Sequence, residues 1–143
     1  MLVDEPRTPD EFKLYYDLRW RVLREPWNQP RGSEKDELEG RAIHVMTCEK
    51  DRIPRSIGRA HFNSPEEAQI RYMATEPAYQ RSGLGGNVLN ALEADVYKKG
   101  AKRIILNARE SAVLFYEKHG YKIVGSAPKL FGGITHFRMQ KEL

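Results

Sequence analysis

Apolar positions along the chain recur with two periods, and the change from one to the other marks the elements. Leu84, Val88, Leu92 and Val96 return every fourth residue, with Leu89 and Tyr97 widening the stripe. That spacing predicts an amphipathic helix, closed by Lys98-Lys99-Gly100 at its negative end. Thr8-Pro9-Asp10-Glu11 has the character of a helix start. Behind it Phe12, Tyr15, Tyr16, Leu18, Trp20, Val22 and Leu23 form a broad apolar face, and Pro26 stops the helix. Residues 111–118 read as a third helical segment, ending at His119-Gly120.

Residues 43–49 and 56–63 read as strands joined in a hairpin through a turn at Lys50-Asp51-Arg52. Residues 66–76 follow as a long strand in which Ile70, Tyr72 and Ala74 alternate with Arg71 and Met73, and Pro77 ends it. Residues 103–108 form a compact β-rich run. Residues 121–125 and 134–139 complete the chain as two more strands, with 128–133 as the loop between them. Residues 27–40 carry Pro30, Gly32, Ser33 and Gly40 among several charges, which favours a loop with at most one helical turn near 34–39. The order αββ(β)αβαββ predicts an α/β fold, a mixed sheet with helices on its faces.

At 143 residues, 40% hydrophobic and 31% charged, the chain is expected to form one domain over residues 1–143. Its longest apolar runs fall far short of the roughly 20 residues of a membrane span. Its start lacks the basic and apolar regions of a secretory signal, so a cytoplasmic protein with no membrane partner is expected. Cys48 is the only cysteine and sits in an apolar run, where it reads as core. The histidines at 44, 61, 119 and 136 show no metal-ligand spacing, so no metal is expected. A net charge of +4 comes from 24 basic residues interleaved with 20 acidic ones. That dispersion argues against nucleic acid, while a mildly basic surface suits an anionic cofactor bearing phosphates.

Gly83, Gly85 and Gly86 stand where the long strand gives way to the periodic helix. A glycine-rich turn there exposes backbone N–H groups beside the positive end of a helix dipole, an arrangement suited to phosphate, with Arg81 adding charge. A dinucleotide fingerprint would need glycine where Val88 stands, and a P-loop would need Gly-Lys-Ser/Thr, which is absent. Gln80-Arg81-Ser82-Gly83-Leu84-Gly85 instead resembles the Gln/Arg-x-x-Gly-x-Gly/Ala signature of the GCN5-related N-acetyltransferase (GNAT) superfamily. Ala112-Val113-Leu114-Phe115-Tyr116-Glu117-Lys118-His119-Gly120-Tyr121 is similar to a second segment of that family.

The resemblance implies a mostly antiparallel sheet splayed between two strands, with acetyl-coenzyme A (acetyl-CoA) lying in the gap. It further implies that backbone groups of Met73, Ala74 and Thr75 pair with the pantetheine arm, and that the segment Gln80, Arg81, Ser82, Gly83, Leu84, Gly85 and Gly86 holds the pyrophosphate. One position departs from the family pattern: Arg109 stands where many members carry asparagine, with Asn107 and Ser111 as nearby polar residues.

Acetyl transfer to an amine requires a neutral amine, yet a lysine-like amine of pKa about 10.4 is under about one per cent neutral at pH 7. The departing thiolate also gains from a proton donor. By resemblance Tyr116 is that donor, and Tyr72 reads as strand packing. Glu76, His61 and His44 are the candidate bases, none preferred. Substrate selection is expected from the first helix and the loop after it, with Trp20, Trp27 and the acidic set Glu34, Asp36, Glu37 and Glu39 facing a cationic amine. The expected partners are an amine acceptor and at most a second copy of the chain. A non-catalytic acyl-CoA sensor would keep the glycine turn without needing Tyr116.

Overall fold

The computed structural model describes residues 1–143. The first helix, α1 (Pro9–Leu23), starts where Thr8 accepts a hydrogen bond from the Glu11 N–H at 3.1 Å and Pro9 occupies the first turn. The second, α2 (Leu84–Lys98), buries Leu84, Val88, Leu89, Leu92 and Val96, the stripe its periodicity predicts. The third, α3 (Val113–Lys118), follows a 3-10 turn and ends at Gly120, whose φ of +92° favours glycine.

Seven strands form one sheet: β1 (Leu2–Asp4), β2 (Ile43–Cys48), β3 (Ser56–Phe62), β4 (Glu67–Thr75), β5 (Arg103–Arg109), β6 (Lys122–Leu130) and β7 (Ile134–Glu142). Their order is β1-β2-β3-β4-β5-β7-β6, and every neighbouring pair is antiparallel except β4 and β5. The parallel pair is joined through α2, as a parallel connection requires. Two apolar clusters lie on opposite faces. One gathers Val88, Leu89, Leu92 and Val96 of α2 with Ile70, Ile104, Leu106 and Ala108. The other gathers Tyr15 and Leu18 of α1 with Met46, Cys48, Ile57 and Ala74. Cys48 is therefore core, as its apolar run suggests.

Several elements differ from the sequence reading. The chain opens on β1, three residues whose apolar members are exposed and leave no periodic signal. Arg52 clamps that strand by reaching Asp4 at 2.6 Å and Glu11 at 2.8 Å. The loop expected over 128–133 shrinks to residues 131–133, because β6 runs through Pro128. Proline is tolerated there because β6 is the outermost strand and its register slips between Ala127 and Leu130. The helical turns after α1 fall at Glu25–Trp27 and Glu39–Arg41 rather than at 34–39. No helix is long and apolar enough to cross a membrane.

Candidate active site

The sheet opens between its two parallel strands. Pairing of β4 with β5 runs from Glu67 opposite Arg103 to Ile70 opposite Leu106 and then stops, although β4 continues to Thr75 and β5 to Arg109. The inner edge of β4 from residue 71 onward thus has no strand partner. A cleft of about 1050 Å³ occupies the opening.

A β-bulge accounts for the divergence. Opposite β3, Ile57 pairs with Ala74 and Arg59 with Arg71, so Tyr72 and Met73 together face the single residue Gly58. Tyr72 takes the extra length with a left-handed φ of +60°, and such a bulge bends its strand. Glycine at 58 is a packing requirement, since a Cβ there would collide with Met73 Sδ and lie 2.8 Å from Val88 Cγ1. The bulge also breaks the alternation read from the sequence. Ile70 and Met73 pack in the α2-side cluster, Ala74 belongs to the α1-side cluster, and the Tyr72 ring lies 4.2 Å from the Arg19 guanidinium of α1.

At one end of the cleft, Arg81 and Gly83 both adopt left-handed backbone conformations, with φ of +63° and +86°. Gly83 is the N-cap of α2 and offers no side chain, and the first turn holds no acidic residue, so the helix's leading N–H groups lack a side-chain cap. Ser82, in the same turn, directs its hydroxyl to the Tyr79 carbonyl. A Cβ at Gly85 would meet Phe115 and Thr75 only at ordinary contact distances of 3.6–3.7 Å, whereas one at Gly86 would lie 3.1 Å from His119 Nε2. The room above Gly85 is thus not demanded by packing.

Tyr116 sits on α3, its ring edge-on to Phe115 at 5.0 Å and Tyr121 at 5.7 Å. Burial pushes its phenol well above the usual tyrosine range, and its hydroxyl makes no hydrogen bond within the protein although the residue lines the cleft. Of the residues singled out from sequence, Met73, Ala74, Thr75, Gln80, Arg81, Gly83, Leu84, Gly85, Gly86 and Tyr116 line this one opening, and Ser82, turned to the Tyr79 carbonyl, does not.

The GNAT acetyltransferase domain family model matches residues 29–143. The chain belongs to the GNAT family. It is accordingly an acetyltransferase, in line with the Bacillus subtilis (strain 168) protein YjcF, named an uncharacterized N-acetyltransferase. That protein is 29% identical over 136 residues, covering 95% of this chain and 96% of the relative. An aminoglycoside 6'-acetyltransferase of type Ii shares the fold with a TM-score of 0.81 at 22% identity, over 99% of this chain and 97% of the other. An aminoglycoside 6'-N-acetyltransferase solved with coenzyme A shares it with a TM-score of 0.79 at 20% identity, over the same shares of the two chains.

In this GNAT acetyltransferase the three candidate bases lie outside the cleft and are engaged elsewhere. Glu76 is held by the two terminal nitrogens of the Arg21 guanidinium at 2.7 and 2.9 Å, which keeps its carboxyl below the usual range. His44 is bound on both ring nitrogens, at 2.8 Å to the Tyr15 hydroxyl and 2.8 Å to the Glu39 carbonyl, and burial lowers its pKa. Since a carbonyl only accepts, Nε2 carries the proton. His61 bridges Arg59 and Asn63, and burial lowers its pKa too.

The acidic loop is also engaged. Glu39 Oε2 accepts from Arg19 at 2.9 Å and Arg59 at 2.8 Å, both arginines fully buried. Asp36 accepts from Arg59 at 2.6 Å and Arg71 at 3.0 Å. The Glu34 carboxylate turns back to the Gly32 N–H at 2.7 Å. Trp20 donates to the Gln29 carbonyl at 3.0 Å, and neither Trp20 nor Trp27 lines the cleft. Of α1, it is Val22 and Leu23 that reach it, with Arg24 directly after the helix. The charged groups lining the cleft are Arg24, Arg71, Arg81 and Arg109, with no aspartate or glutamate. Sequence reasoning missed this because the carboxylates that neutralise the other arginines lie far away along the chain.

Proposed function

We propose that the chain transfers the acetyl group of acetyl-CoA to a primary amine, directly and without a protein-bound acyl group. The observation that carries this reading is the parallel strand pair opening beyond Ile70 and Leu106 beside an uncapped, glycine-lined helix start. The residues present fit the cofactor. The leading N–H groups of α2, with residues 81–86 and Arg81, suit the pyrophosphate. The unpartnered edge of β4 at Met73, Ala74 and Thr75 suits the pantetheine amides. A backbone N–H there is a donor for the polarised acyl oxygen.

Acetyl-CoA supplies a thioester whose C–S bond is exchanged for an amide C–N bond, one proton leaving nitrogen and one reaching sulfur. Tyr116 holds the proton for sulfur: a buried phenol with a raised pKa stays protonated, and its hydroxyl is not occupied by the protein. Cys48 is buried in the α1-side cluster and serves packing. The proton that attack leaves on nitrogen passes to solvent, from which Tyr116 is reprotonated after giving its own to sulfur, so no side-chain base is invoked. Arg24, Arg81 and Arg109, which have no carboxylate partner, disfavour an ammonium ion, so the cleft lowers the pKa of an entering amine.

Incubation with acetyl-CoA and a panel of primary amines, read by free thiol and by the mass of the acetylated product, tests the reading. Thiol and product in equal amounts are expected. Tight acetyl-CoA binding with no acetylated product from any amine would leave an acyl-CoA sensor instead.

A further inference from the structure

We propose that the amine acceptor of this enzyme carries an anionic group, a carboxylate or a phosphate, which Arg109 and Arg24 bind on the α1 face of the cleft. The inference rests on the acetyltransferase reading and adds to it the class of acceptor.

Alternation along β5 sets the direction of Arg109. Leu106 and Ala108 pack in the α2-side cluster, so Asn107 and Arg109 face the opposite side of the sheet, where α1 ends. Arg24 follows α1 there, its guanidinium 5.6 Å from the Tyr72 ring and 5.2 Å from the Phe131 ring. The two arginines share the cleft, and burial first, then Arg71 and Arg109, lower the pKa of Arg24, while burial lowers that of Arg109. This lies on the other face of the sheet from α2, where the phosphates of the cofactor are expected.

Neither arginine has a counter-ion. Arg24 donates only to backbone carbonyls, of Ser33 at 3.1 Å and Leu23 at 3.1 Å, and Arg109 makes no hydrogen bond or ion pair with the protein. Their neighbours show the contrast, for Arg19 and Arg59 are buried against Glu39, and Arg59 and Arg71 share Asp36. Two partly buried cations lining one cleft without an anion form a site for one, because charge-assisted hydrogen bonds would relieve their desolvation. The same cleft disfavours a polycation, which needs carboxylates that it lacks.

The test compares acceptors matched except for the anion, each KM referred to the concentration of neutral amine because removing the charge also lowers the pKa of the neighbouring amine. An α-amino acid is set against its amide, and an amino-sugar phosphate against the free amino sugar, with acetyl-CoA saturating. The anionic member of at least one pair is expected to show a KM lower by roughly 10- to 100-fold, and the pair that responds tells carboxylate from phosphate. Arg109→Gln should erase that advantage without changing the KM for acetyl-CoA, and Arg109→Lys should restore part of it. Removing the cation should also move the rising limb of the pH profile to higher pH. Equal KM within both pairs, or a loss confined to the acetyl-CoA KM, would overturn the inference. If neutral amines are acetylated as well as anionic ones, the acetyltransferase reading stands and only the acceptor class falls. If acetyl-CoA produces no thermal shift in the folded protein, the underlying reading falls first.

Discussion

Replacing Tyr116 by phenylalanine separates chemistry from architecture at this site. The ring stays, so the edge-on contacts with Phe115 and Tyr121 at 5.0 and 5.7 Å are kept. Only the hydroxyl is lost, and no protein group is left unpaired by its loss because none bonds to it. Stability should therefore stay within about 1 kcal/mol of the parent. Affinity for acetyl-CoA should hold as well. Removing a general acid costs about 100- to 10,000-fold in the chemical step, or about 2.7–5.4 kcal/mol of activation free energy. Rapid-quench single-turnover rates, measured with acetyl-CoA already bound, isolate that step from product release. Since burial raises the Tyr116 pKa, the parent's rate should show no decline from this group until well above its ordinary value of about 10. Parent-like single-turnover rates in Tyr116→Phe would refute the role. A rate loss matched by an equal loss of stability would assign Tyr116 to packing.

Further outcomes follow from the same contacts. Gly85→Ala should fold with unchanged or slightly higher thermal stability, since its Cβ meets Phe115 and Thr75 at ordinary distances, while acetyl-CoA affinity by calorimetry falls about tenfold or more. Glu39→Gln strips a carboxylate shared by two fully buried arginines and should cost about 3–5 kcal/mol in urea unfolding, with only a small change indicating that the charges are redundant. Asp36 is penalised by burial but held down to about 2 by Arg59, the Leu38 N–H and Arg71. A carboxyl depressed below its unfolded value near 3.8 stabilises above that pH and loses its contribution as pH falls toward about 2. The melting temperature should therefore drop over that interval, and Asp36→Asn should flatten the drop.

What the sequence revealed and what it concealed divide along the reach of the interactions. The α2 stripe, the Thr8 cap and the glycine turn are local, and each stood where the pattern predicted. The bulge at Tyr72 was hidden because its cause is distant, namely Gly58 pressed against Met73 and Val88. The simple alternation over Ile70, Tyr72 and Ala74 thus merged residues of both faces. The acidic residues 34–39 look like a solvent-facing substrate site until the fold brings Arg59 and Arg71 to them from two strands. Counting charges could not have told Arg59, neutralised by Asp36 and Glu39, from Arg109, which has no partner. That Glu76, His44 and His61 are engaged away from the cleft was hidden for a related reason, because it depends on partners that adjacency along the chain does not disclose.

The claim beneath all of this is that the opening between β4 and β5 is the acetyl-CoA site. It is tested most directly by titrating acetyl-CoA into the isotopically labelled protein and following the backbone amide resonances. The account predicts that the largest shifts fall on Met73, Ala74 and Thr75 and on residues 81–86, with the sheet edge at β6 unmoved. Saturable binding that leaves both of those segments unshifted would contradict it.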